Sequence, residues 1–501
     1  MSSNVLSWLD NSAKNYRDKV LFNDTENSLT FGDFDKITKS VGTFLSDKVS
    51  VNSPVVVMSG RNVYTPAIYL GVVRSGCFYV PMDATMPVKR LNQILDVIKS
   101  PVMVVDRANL KIAEKLNFDG EVIILEDIID TKIREEILAE RTACITENSP
   151  LYVIFTSGST GVPKGVITSH RSLICYIDAV TKVLESNEKD VLGNQSPLDY
   201  IAAVRDIYIP LKTGASTVII PKNEFAIPVK LFETLNNYKV NTLCWSVAGI
   251  EIPAKLGGFA ECKPEFVEKV IFSGSVINGR YLGVWQENMP NTRFINQYGP
   301  TETTASCTYF EVKERASEDT VLPIGKPYDN YSVFLLDENN CPVKNGEVGE
   351  ICVTGPGVTL GYYGDAERTS QVFMQNPLNN NYREIIYKTG DLGHFEDDGN
   401  LYFNGRKDRQ IKHMGHRVEL GEIEKLAYEI DGIESCYALY EKPKALLYLF
   451  YTGSATAKEI TIYFRGNLPA FMVPRKIINL EKLPTLPNGK VDTLELKKYF
   501  K

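Results

Sequence analysis

The stretch that decides the fold is YVIFTSGSTGVPKGV, from Tyr152 to Val166. It begins with apolar residues typical of a buried strand, changes to Ser, Thr and Gly, and then places a cation at Lys164. Glycine allows backbone conformations closed to other residues, and clustered N–H and hydroxyl donors form a concave nest for anions. An exposed, flexible turn is the alternative for any Gly/Ser cluster. The lysine and the apolar strand favour a phosphate-binding loop.

The bulk properties are those of an ordinary globular protein. The chain has 501 residues, of which 44% are hydrophobic and 23% charged, and its net charge is −7. This charge argues against nonspecific nucleic-acid binding, and no apolar run approaches the roughly 20 residues of a membrane helix. The N-terminus lacks the apolar core of a signal peptide, and the nine cysteines form no CxxC pair. We expect a cytoplasmic monomer without a nucleic-acid or membrane partner.

The order of apolar runs predicts the fold class and the domains. The first 400 residues alternate short β-rich runs with helical segments, which is typical of α/β layers with parallel sheets. From about Tyr331, Asn/Gly turns between alternating strands indicate a β subdomain. The last segment has its own helix, predicted from Leu420 to Ile430, and β runs. We therefore predict an α/β protein with a large N-terminal domain of stacked, doubly wound sheets plus a β subdomain (1–404). A small, mobile α+β domain (405–501) follows, with the boundary near Asp408.

Several common catalytic patterns are missing from the sequence. The loop after Gly158 is not a Walker A motif, and no strand leads into GxGxxG, which disfavours a nicotinamide dehydrogenase. SGSTG is only superficially similar to the GxSxG of serine hydrolases. His413 and His416 are candidate metal ligands, but two histidines in a charged segment are more often solvated.

Five motifs, in chain order, resemble those of one family over nearly the whole chain. They are YVIFTSGSTGVPKGV (152–166), NQYGPTETT (296–304), YKTGDLG (387–393), GRKDRQIKHMGHRVELGEIE (405–424) and LPNGKVD (486–492). The chain resembles the adenylate-forming superfamily of acyl-CoA synthetases, peptide-synthetase adenylation domains and luciferases. SLTFGDF (28–34), RSGCFYVPMD (74–83) and GEICVTGPGVTLGYY (349–363) resemble the peptide-synthetase branch. The chain is also similar to D-alanine–carrier protein ligases.

The resemblance implies a two-step reaction with ATP and Mg²⁺. A carboxylate attacks the α-phosphate of ATP to give an acyl-adenylate and pyrophosphate, and a thiol then displaces AMP to give a thioester. Tyr298 would offer a flat face to adenine, and Asp391 would accept both ribose hydroxyls. Glu302 would be the Mg²⁺ ligand, and Thr301 would lie beside the α-phosphate. The residues implied in nucleotide binding are Thr156, Ser157, Gly158, Ser159, Thr160, Gly161, Lys164, Gly274, Asn296, Gln297, Tyr298, Gly299, Asp391 and Arg406.

These assignments have ordinary structural alternatives when each is taken alone. Tyr298 could be a core residue, Glu302 a carboxylate at a helix N-terminus, and Asp391 a turn residue. Their occurrence together, in the order of the family, favours the nucleotide site.

The resemblance also implies two positions for the small domain. Lys490 would be the adenylation lysine, a cation that stabilises charge on the reacting oxygens. Asp408 matches the hinge, where one change of φ and ψ rotates the domain. After rotation Lys490 would leave the site, and the segment around Lys412 and Gly415 would line a tunnel for a phosphopantetheine arm.

The substrate pocket is anchored on SPLDYIAAVRDIYIPLKTGAS, residues 196–216. In relatives that select α-amino acids, an aspartate pairs with the substrate ammonium. Counting back without a gap puts Ile201 at that position, which argues for an acid without an α-amino group, such as an aryl acid. Asp199 reaches it only with a two-residue insertion, and Arg205 could pair with Asp199 or with a polar group on the substrate. The other pocket candidates are Ala202, Leu243, Ile271, Ser273, Gln297, Ala305 and Ser306.

Three functions remain open at this stage. The first is an adenylation enzyme that loads a carrier protein, and because the chain ends at Lys501 we expect that carrier to be a separate protein. The second is an acyl-CoA ligase, and the third a catalytically silent nucleotide-binding protein. The peptide-synthetase form of the last two motifs favours the first, with a small carboxylic acid as substrate.

Overall fold

The structure is a computed structural model that describes residues 4–158, 162–442, 444–486 and 490–500. Strands and helices alternate through the first 330 residues. The strands are β1 (Val20–Asn23), β2 (Ser28–Thr30), β3 (Pro54–Met58), β4 (Phe78–Pro81), β5 (Val102–Val105), β6 (Glu121–Ile124), β7 (Pro150–Thr156), β8 (Lys164–Ser169), β9 (Val191–Asn194), β10 (Ser216–Ile219), β11 (Thr242–Ser246), β12 (Lys269–Ser273), β13 (Arg293–Tyr298), β14 (Thr308–Val312) and β15 (Lys326–Pro327). The helices are α1 (Leu6–Asn15), α2 (Phe31–Ser46), α3 (Tyr64–Arg74), α4 (Val88–Ile98), α5 (Leu110–Ala113), α6 (Glu135–Ala143), α7 (His170–Leu184), α8 (Val204–Thr213), α9 (Pro228–Asn237), α10 (Val247–Lys255) and α11 (Gly279–Asn288). No helix within the described ranges is both long and apolar enough to cross a membrane.

These strands form two large, mostly parallel sheets. Within the described chain, nine strands make one sheet in the order β15-β14-β13-β12-β11-β9-β10-β1-β2, and six make the other in the order β6-β5-β3-β4-β7-β8. The non-consecutive order requires helical crossovers, which cover the sheet faces. Strands of both sheets and α3, α7 and α8 contribute to one hydrophobic core. The predicted doubly wound α/β class is confirmed.

The predicted β subdomain follows. Its strands are β16 (Ser332–Leu336), β17 (Gly349–Thr354), β18 (Phe373–Gln375), β19 (Ile385–Phe395) and β20 (Leu401–Arg406), with α12 (Ala366–Val372) between β17 and β18. β16 and β17 pair antiparallel with Phe334 opposite Cys352, as the Asn/Gly turns indicate. β20 pairs with β19 as far as Arg406, so two residues beyond 404 still belong to this sheet.

The C-terminal part has a core of its own. Its elements are β21 (Gln410–His413), β22 (His416–Glu419), α13 (Leu420–Ala427), β23 (Ile433–Glu441), β24 (Leu446–Gly453), α14 (Ala457–Asn467), β25 (Lys476–Asn479) and α15 (Thr493–Lys497). Ile423, Leu449 and Phe464 are buried together in this core. The predicted helix from Leu420 ends at Ala427, three residues before Ile430. α14 begins with a capping box between Thr456 and Glu459, which fixes its first turn.

Candidate active site

The predicted phosphate loop connects β7 to β8. These strands pair antiparallel with Thr156 opposite Lys164. A Cβ atom at Gly158 would lie 2.1 Å from the carbonyl oxygen of Val162, and only glycine fits there. The Oγ1 atom of Thr156 is buried and has no hydrogen-bond partner among the described residues. Three predicted loop residues, Ser159, Thr160 and Gly161, lie outside the described residues.

Glu302 is the centre of a buried charge cluster. Its carboxylate is fully buried and accepts hydrogen bonds from Lys164 Nζ (2.9 Å) and the Tyr362 hydroxyl (2.8 Å). Arg417 Nη1 lies 3.1 Å from each of its two oxygens. Burial acts to raise the pKa of Glu302, but Lys164 and Arg417 outweigh it and hold the pKa well below its usual range. Burial, reinforced by Arg417, lowers the pKa of Lys164 to about 8.

The surroundings of Glu302 fit a magnesium site when Arg417 is elsewhere. The carboxylate is ionised, lies beside the phosphate loop, and is the kind of single protein ligand that Mg²⁺ combines with phosphate oxygens and water. Arg417 belongs to β22 of the C-terminal part, whereas Lys164 and Glu302 belong to the N-terminal part. Movement of β22 would therefore take Arg417 away from both carboxylate oxygens and leave Oε2 for a cation, while Lys164 and Tyr362 still bond to Oε1.

Tyr298, Asp391 and Arg406 form a second connected group. The Tyr298 hydroxyl donates to Asp391 Oδ2 at 2.5 Å, and Arg406 Nη1 donates to Asp391 Oδ1 at 2.5 Å. Lys412 Nζ lies 5.3 Å from the centre of the Tyr298 ring, a cation–π distance. Two distant motifs, NQYGPTETT and YKTGDLG, therefore meet directly. The ring face predicted for adenine is covered here by Lys412.

Other predicted nucleotide residues lie at the ends of β12 and β13. Gly274 has a φ of +101°, which disfavours any side chain, and lies beside Gly415. A Cβ at Gly299 would lie 2.4 Å from the Cα of Ser306, so the chain after β13 passes too close for another residue. Thr301 begins a buried 3-10 turn, Thr301–Thr303, directly before Glu302 in the motif. These backbone positions bring the chain close to the crevice where parallel strands end.

The β21–β22 hairpin covers this crevice. Met414 and Gly415 both have positive φ, as in the two-residue turns that join twisted strands. The Gly415 carbonyl accepts a hydrogen bond from the Tyr200 hydroxyl at 2.7 Å, and Ser157 Oγ donates to the Arg417 carbonyl at 2.7 Å. The segment that carries Lys412 and Gly415 thus faces the site.

A buried ion pair also holds the C-terminal part against the N-terminal part. Arg90 on α4 donates to Glu422 on α13 at 2.6 Å, and both side chains are less than one-tenth exposed. Lys89 and Glu429 form an exposed pair nearby at 2.7 Å. The position of the C-terminal part therefore rests on specific contacts rather than on the linker alone.

Lys490 occupies a different surface. It is exposed, and its carbonyl accepts a hydrogen bond from the Leu486 N–H at 2.7 Å. Its neighbour Val491 packs against a satellite core that includes Tyr448 and Phe450 of the C-terminal part. In this arrangement the cation that contacts Glu302 from the C-terminal part is Arg417.

Asn296 and Gln297, neighbours on β13, have different environments. Asn296 Nδ2 donates to the Pro323 carbonyl at 2.8 Å, whereas Gln297 Oε1 accepts from Arg205 Nη1 at 3.1 Å. Gln297 was predicted in both the nucleotide and substrate sites, and its side chain lies with Arg205.

Arg205 joins several pocket candidates into one group, the Arg205 cluster, which consists of Arg205, Ser273, Gln297, Tyr176 and Ser306. Arg205 is fully buried, with Nε donating to the Ala202 carbonyl (3.3 Å) and Nη1 to Ser273 Oγ (3.4 Å). Among the described residues, Arg205 Nη2 and Ser306 Oγ have no hydrogen-bond partner.

One pocket assignment requires a correction. Leu243 packs with Trp245 in the second hydrophobic cluster, whereas Cys244 belongs to the main core and is close enough to Arg205 to affect its pKa. Successive side chains of a strand point to opposite faces, so the anchoring was out of phase by one residue on β11. Cys244, rather than Leu243, is therefore the residue of β11 that lies near Arg205. Ile201, Ala202, Ile271 and Ala305 are buried.

Asp199 and Arg205 are not brought together as an ion pair. The charges that act on Asp199 are those of Asp83, Lys222 and Arg61. Arg205 instead donates to Ser273 and Gln297. Burial, reinforced by the negative charge of Asp83, raises the pKa of Asp199 to about 7.

Asp206 gives a stability prediction. Burial raises its pKa to about 7, although Asn194 Nδ2 donates to its Oδ2 at 2.7 Å. Between about pH 4 and pH 7 the unfolded chain loses this proton while the folded chain keeps it, so the free energy of unfolding falls as pH rises. Asp206→Asn keeps an acceptor for Asn194 but has no proton to lose. We therefore expect this variant to lack that fall in the free energy of unfolding.

The measurement is urea unfolding of the wild type and Asp206→Asn at pH 5 and pH 8. Between pH 5 and pH 8 the free energy of unfolding of Asp206→Asn should rise relative to that of the wild type by on the order of 2 to 3 kcal/mol. An unchanged difference would show that Asp206 titrates normally in the folded protein.

Sequence reasoning missed three residues of the site. Arg417 and Tyr362 both contact Glu302, and Tyr200 holds the hairpin tip. Arg417 lies in a motif that was quoted, as does Tyr362, but neither pattern indicates which partner its side chain meets. The hairpin register was the available signal, because Arg417 lies directly opposite Lys412 and cross-strand partners point to the same face.

Comparison with known proteins gives one family and many relatives. Residues 9–363 match the family described as AMP-binding enzyme. The chain is 31% identical, over 90% of its length, to gramicidin S synthase 1 of Brevibacillus brevis, and 28% identical, over 96%, to tyrocidine synthase 1 of Brevibacillus parabrevis. It spans less than half of each of those two proteins, 40% and 44% respectively.

A solved structure has the same fold. It is NpsA-ThdA, an artificially fused adenylation–PCP di-domain from Klebsiella oxytoca, with a TM-score of 0.81 and 20% identity. The match covers 95% of this chain and 93% of that one. The likeness therefore extends through both the N-terminal and the C-terminal parts.

Proposed function

The chain belongs to the family of AMP-binding enzymes, and from this premise we propose that it activates a small carboxylic acid with ATP and transfers the acyl group to the phosphopantetheine thiol of a carrier protein. The first step forms an acyl-adenylate and releases pyrophosphate. In the second step the thiol sulfur attacks the acyl carbon, and AMP leaves.

One observation carries the proposal: residues from three separated motifs converge on one crevice. Lys164 bonds to Glu302, and the Tyr298 hydroxyl bonds to Asp391. Lys164 and Asp391 are more than 200 positions apart in the sequence, yet both lie next to the end of β13. Such an arrangement suits a nucleotide whose phosphates and ribose are held at opposite ends.

In the first step, the described residues would bind and orient the nucleotide. The phosphate loop and Lys164 would hold the leaving pyrophosphate, Tyr298 the adenine, and Asp391 the ribose hydroxyls. Glu302 would hold Mg²⁺, which when bound supplies positive charge to the phosphate oxygens. Lys490 would enter the site after the hairpin leaves.

The observed position of the hairpin supports the second step. Gly415 lies over the ends of β11 and β12, next to Ser246 and Gly274, where a thiol arm would have to approach the acyl carbon. We propose that the domains, 1–404 and 405–501, rotate about Asp408 between the two steps. Release of a CoA thioester is the second candidate, because the same chemistry serves either thiol.

Exchange of labelled pyrophosphate into ATP tests the function. We expect exchange that depends on one class of small acid, followed by thioester formation on a phosphopantetheinylated carrier. Transfer to CoA but to no carrier would favour the ligase, and absence of exchange with every acid tested would contradict the proposal.

Asp199 gives a test of how the acid is recognised. Because its pKa is raised and its charged neighbours are Asp83, Lys222 and Arg61, it is a poor partner for a substrate ammonium. We expect Asp199→Ala to reduce exchange by less than about tenfold, well short of losing a buried charge pair. A panel of amino acids, hydroxybenzoates and other aryl acids provides the measurement. An amino acid whose activation is abolished in Asp199→Ala would show that Asp199 binds the ammonium.

A further inference from the structure

Arg205 is a buried cation whose hydrogen bonds are incomplete. Its side chain is fully buried, and its three hydrogen bonds, at 3.1, 3.3 and 3.4 Å, go to neutral oxygens. Charge-assisted bonds are normally shorter, about 2.7 to 2.9 Å. Nη2 has no partner among the described residues. Taking a guanidinium out of water carries a desolvation penalty, and bonds to neutral oxygens offset less of it than a paired carboxylate would.

Two other buried arginines, Arg74 and Arg90, each have carboxylate partners. Arg74 donates to Asp10 at 2.6 Å and to Asp35 at 2.5 Å, and Arg90 donates to Glu422 at 2.6 Å. Within the described ranges, no carboxylate lies within 4 Å of the Arg205 nitrogens. Arg205 therefore differs from its counterparts in lacking a counter-ion.

The neighbours of Arg205 do not supply a full negative charge. Burial raises the pKa values of Tyr176 and Cys244, each to about 12, so both stay neutral. The raised pKa of Asp206 leaves it partly protonated near pH 7, and its Oδ2 is bonded to Asn194.

The position of the cluster explains what could provide the charge. Arg205 reaches from the first turn of α8 to Ser273 and Gln297, which lie opposite each other at the carboxyl ends of β12 and β13. Ligands of doubly wound sheets bind at such ends. Two residues earlier on the same strands, Ile271 and Ile295 lie opposite each other and belong to the hydrophobic core.

We propose that the acid activated at this site carries a second carboxylate, which binds Arg205 at Nη2 while the reacting carboxylate faces the nucleotide. The inference rests on the proposed function, and it adds the substrate class. A planar carboxylate matches the fork of a guanidinium, and Ser306 Oγ and Ser273 Oγ are further donors in the cluster.

The first test compares matched acids in pyrophosphate exchange. Each pair consists of a diacid and its monoamide: glutarate and glutaramate, isophthalate and 3-carbamoylbenzoate, glutamate and glutamine. We expect the wild type to prefer at least one diacid by about 10²-fold or more in kcat/KM, since a site built for a polar group rejects the analogue that lacks it. Equal exchange with each diacid and its monoamide, or exchange with monoacids alone, would overturn the inference. Either result would leave the proposed adenylation activity supported.

The second test uses Arg205→Met and Arg205→Lys. Arg205→Met should lose the preference, with exchange of the diacid falling about 10²-fold, mainly through KM, and that of the monoamide falling much less. Arg205→Lys keeps the charge and should retain part of the preference. Equal loss for all acids in both variants would indicate a structural role.

Thermal unfolding separates the inference from the enzymatic proposal. Without acid, Arg205→Met should unfold at the same or a higher temperature than the wild type, because it removes an unpaired buried charge. The matched control, Arg74→Met, should unfold at a lower temperature because it removes a buried cation that is paired with Asp10 and Asp35 and also donates to Thr38. A diacid should raise the Tm of the wild type but not of Arg205→Met.

That shift would support the inference even if no acid supported exchange, in which case the proposed function alone would fail. A wild type whose Tm responds equally to diacids and monoamides would contradict the inference.

Discussion

Lys490→Ala should remove most acyl-adenylate formation while sparing thioester formation from a supplied acyl-adenylate. In the observed arrangement Lys490 is exposed, and Arg417 is the C-terminal cation that contacts Glu302. Lys490 would therefore serve only the conformation in which the hairpin has left the crevice. Loss of one placed cation that stabilises charge in the transition state costs about 3 kcal/mol or more, a factor of roughly 10² or beyond.

The two half-reactions must be measured separately. Pyrophosphate exchange reports the first, and carrier loading from purified acyl-adenylate reports the second. Lys482→Ala, which removes another exposed lysine of the C-terminal part, is the matched control and should leave both rates unchanged. An equal fall of both half-reactions in Lys490→Ala would contradict a role confined to one conformation.

The sequence predicted the framework of the site because its motifs follow local rules. The apolar run before the Gly/Ser loop predicts the strand β7 from residues that are adjacent in the chain. The helix predicted from Leu420 shows the same locality, since α13 begins at that residue. Both predictions required only periodicity and turn chemistry.

The partners of charged side chains required the tertiary structure. Arg417 lies 115 positions from Glu302, and the pairing depends on where the C-terminal part docks. The phase error between Leu243 and Cys244 has a simpler cause: a one-residue shift reverses the face of a strand, and nothing near β11 fixed the count. The missing counter-ion of Arg205 is likewise a property of the packed core, since it depends on which carboxylates do not approach it.

Asp408→Pro should confine the protein to one of its two conformations. Lys407 N–H donates to the Gly390 carbonyl at 2.9 Å, which ties it to β19 of the β subdomain. Arg409 bonds to Glu424 at 2.7 Å, which ties it to α13 of the C-terminal part. Asp408 lies between these two anchored residues, where a change of backbone dihedral angles would rotate one part against the other.

Proline fixes φ near roughly −65° and also restricts the preceding residue, so the rotation would be blocked. We expect at most one half-reaction to survive in Asp408→Pro, and repeated loading of the carrier to fall by about 10²-fold or more, since each cycle needs both conformations. The substitution also removes the carboxylate that accepts from Arg406 at 2.7 and 2.8 Å. Asp408→Ala removes the same carboxylate but leaves φ free, so it should retain both half-reactions. If Asp408→Pro performs both at wild-type rates, the hinge lies at another residue.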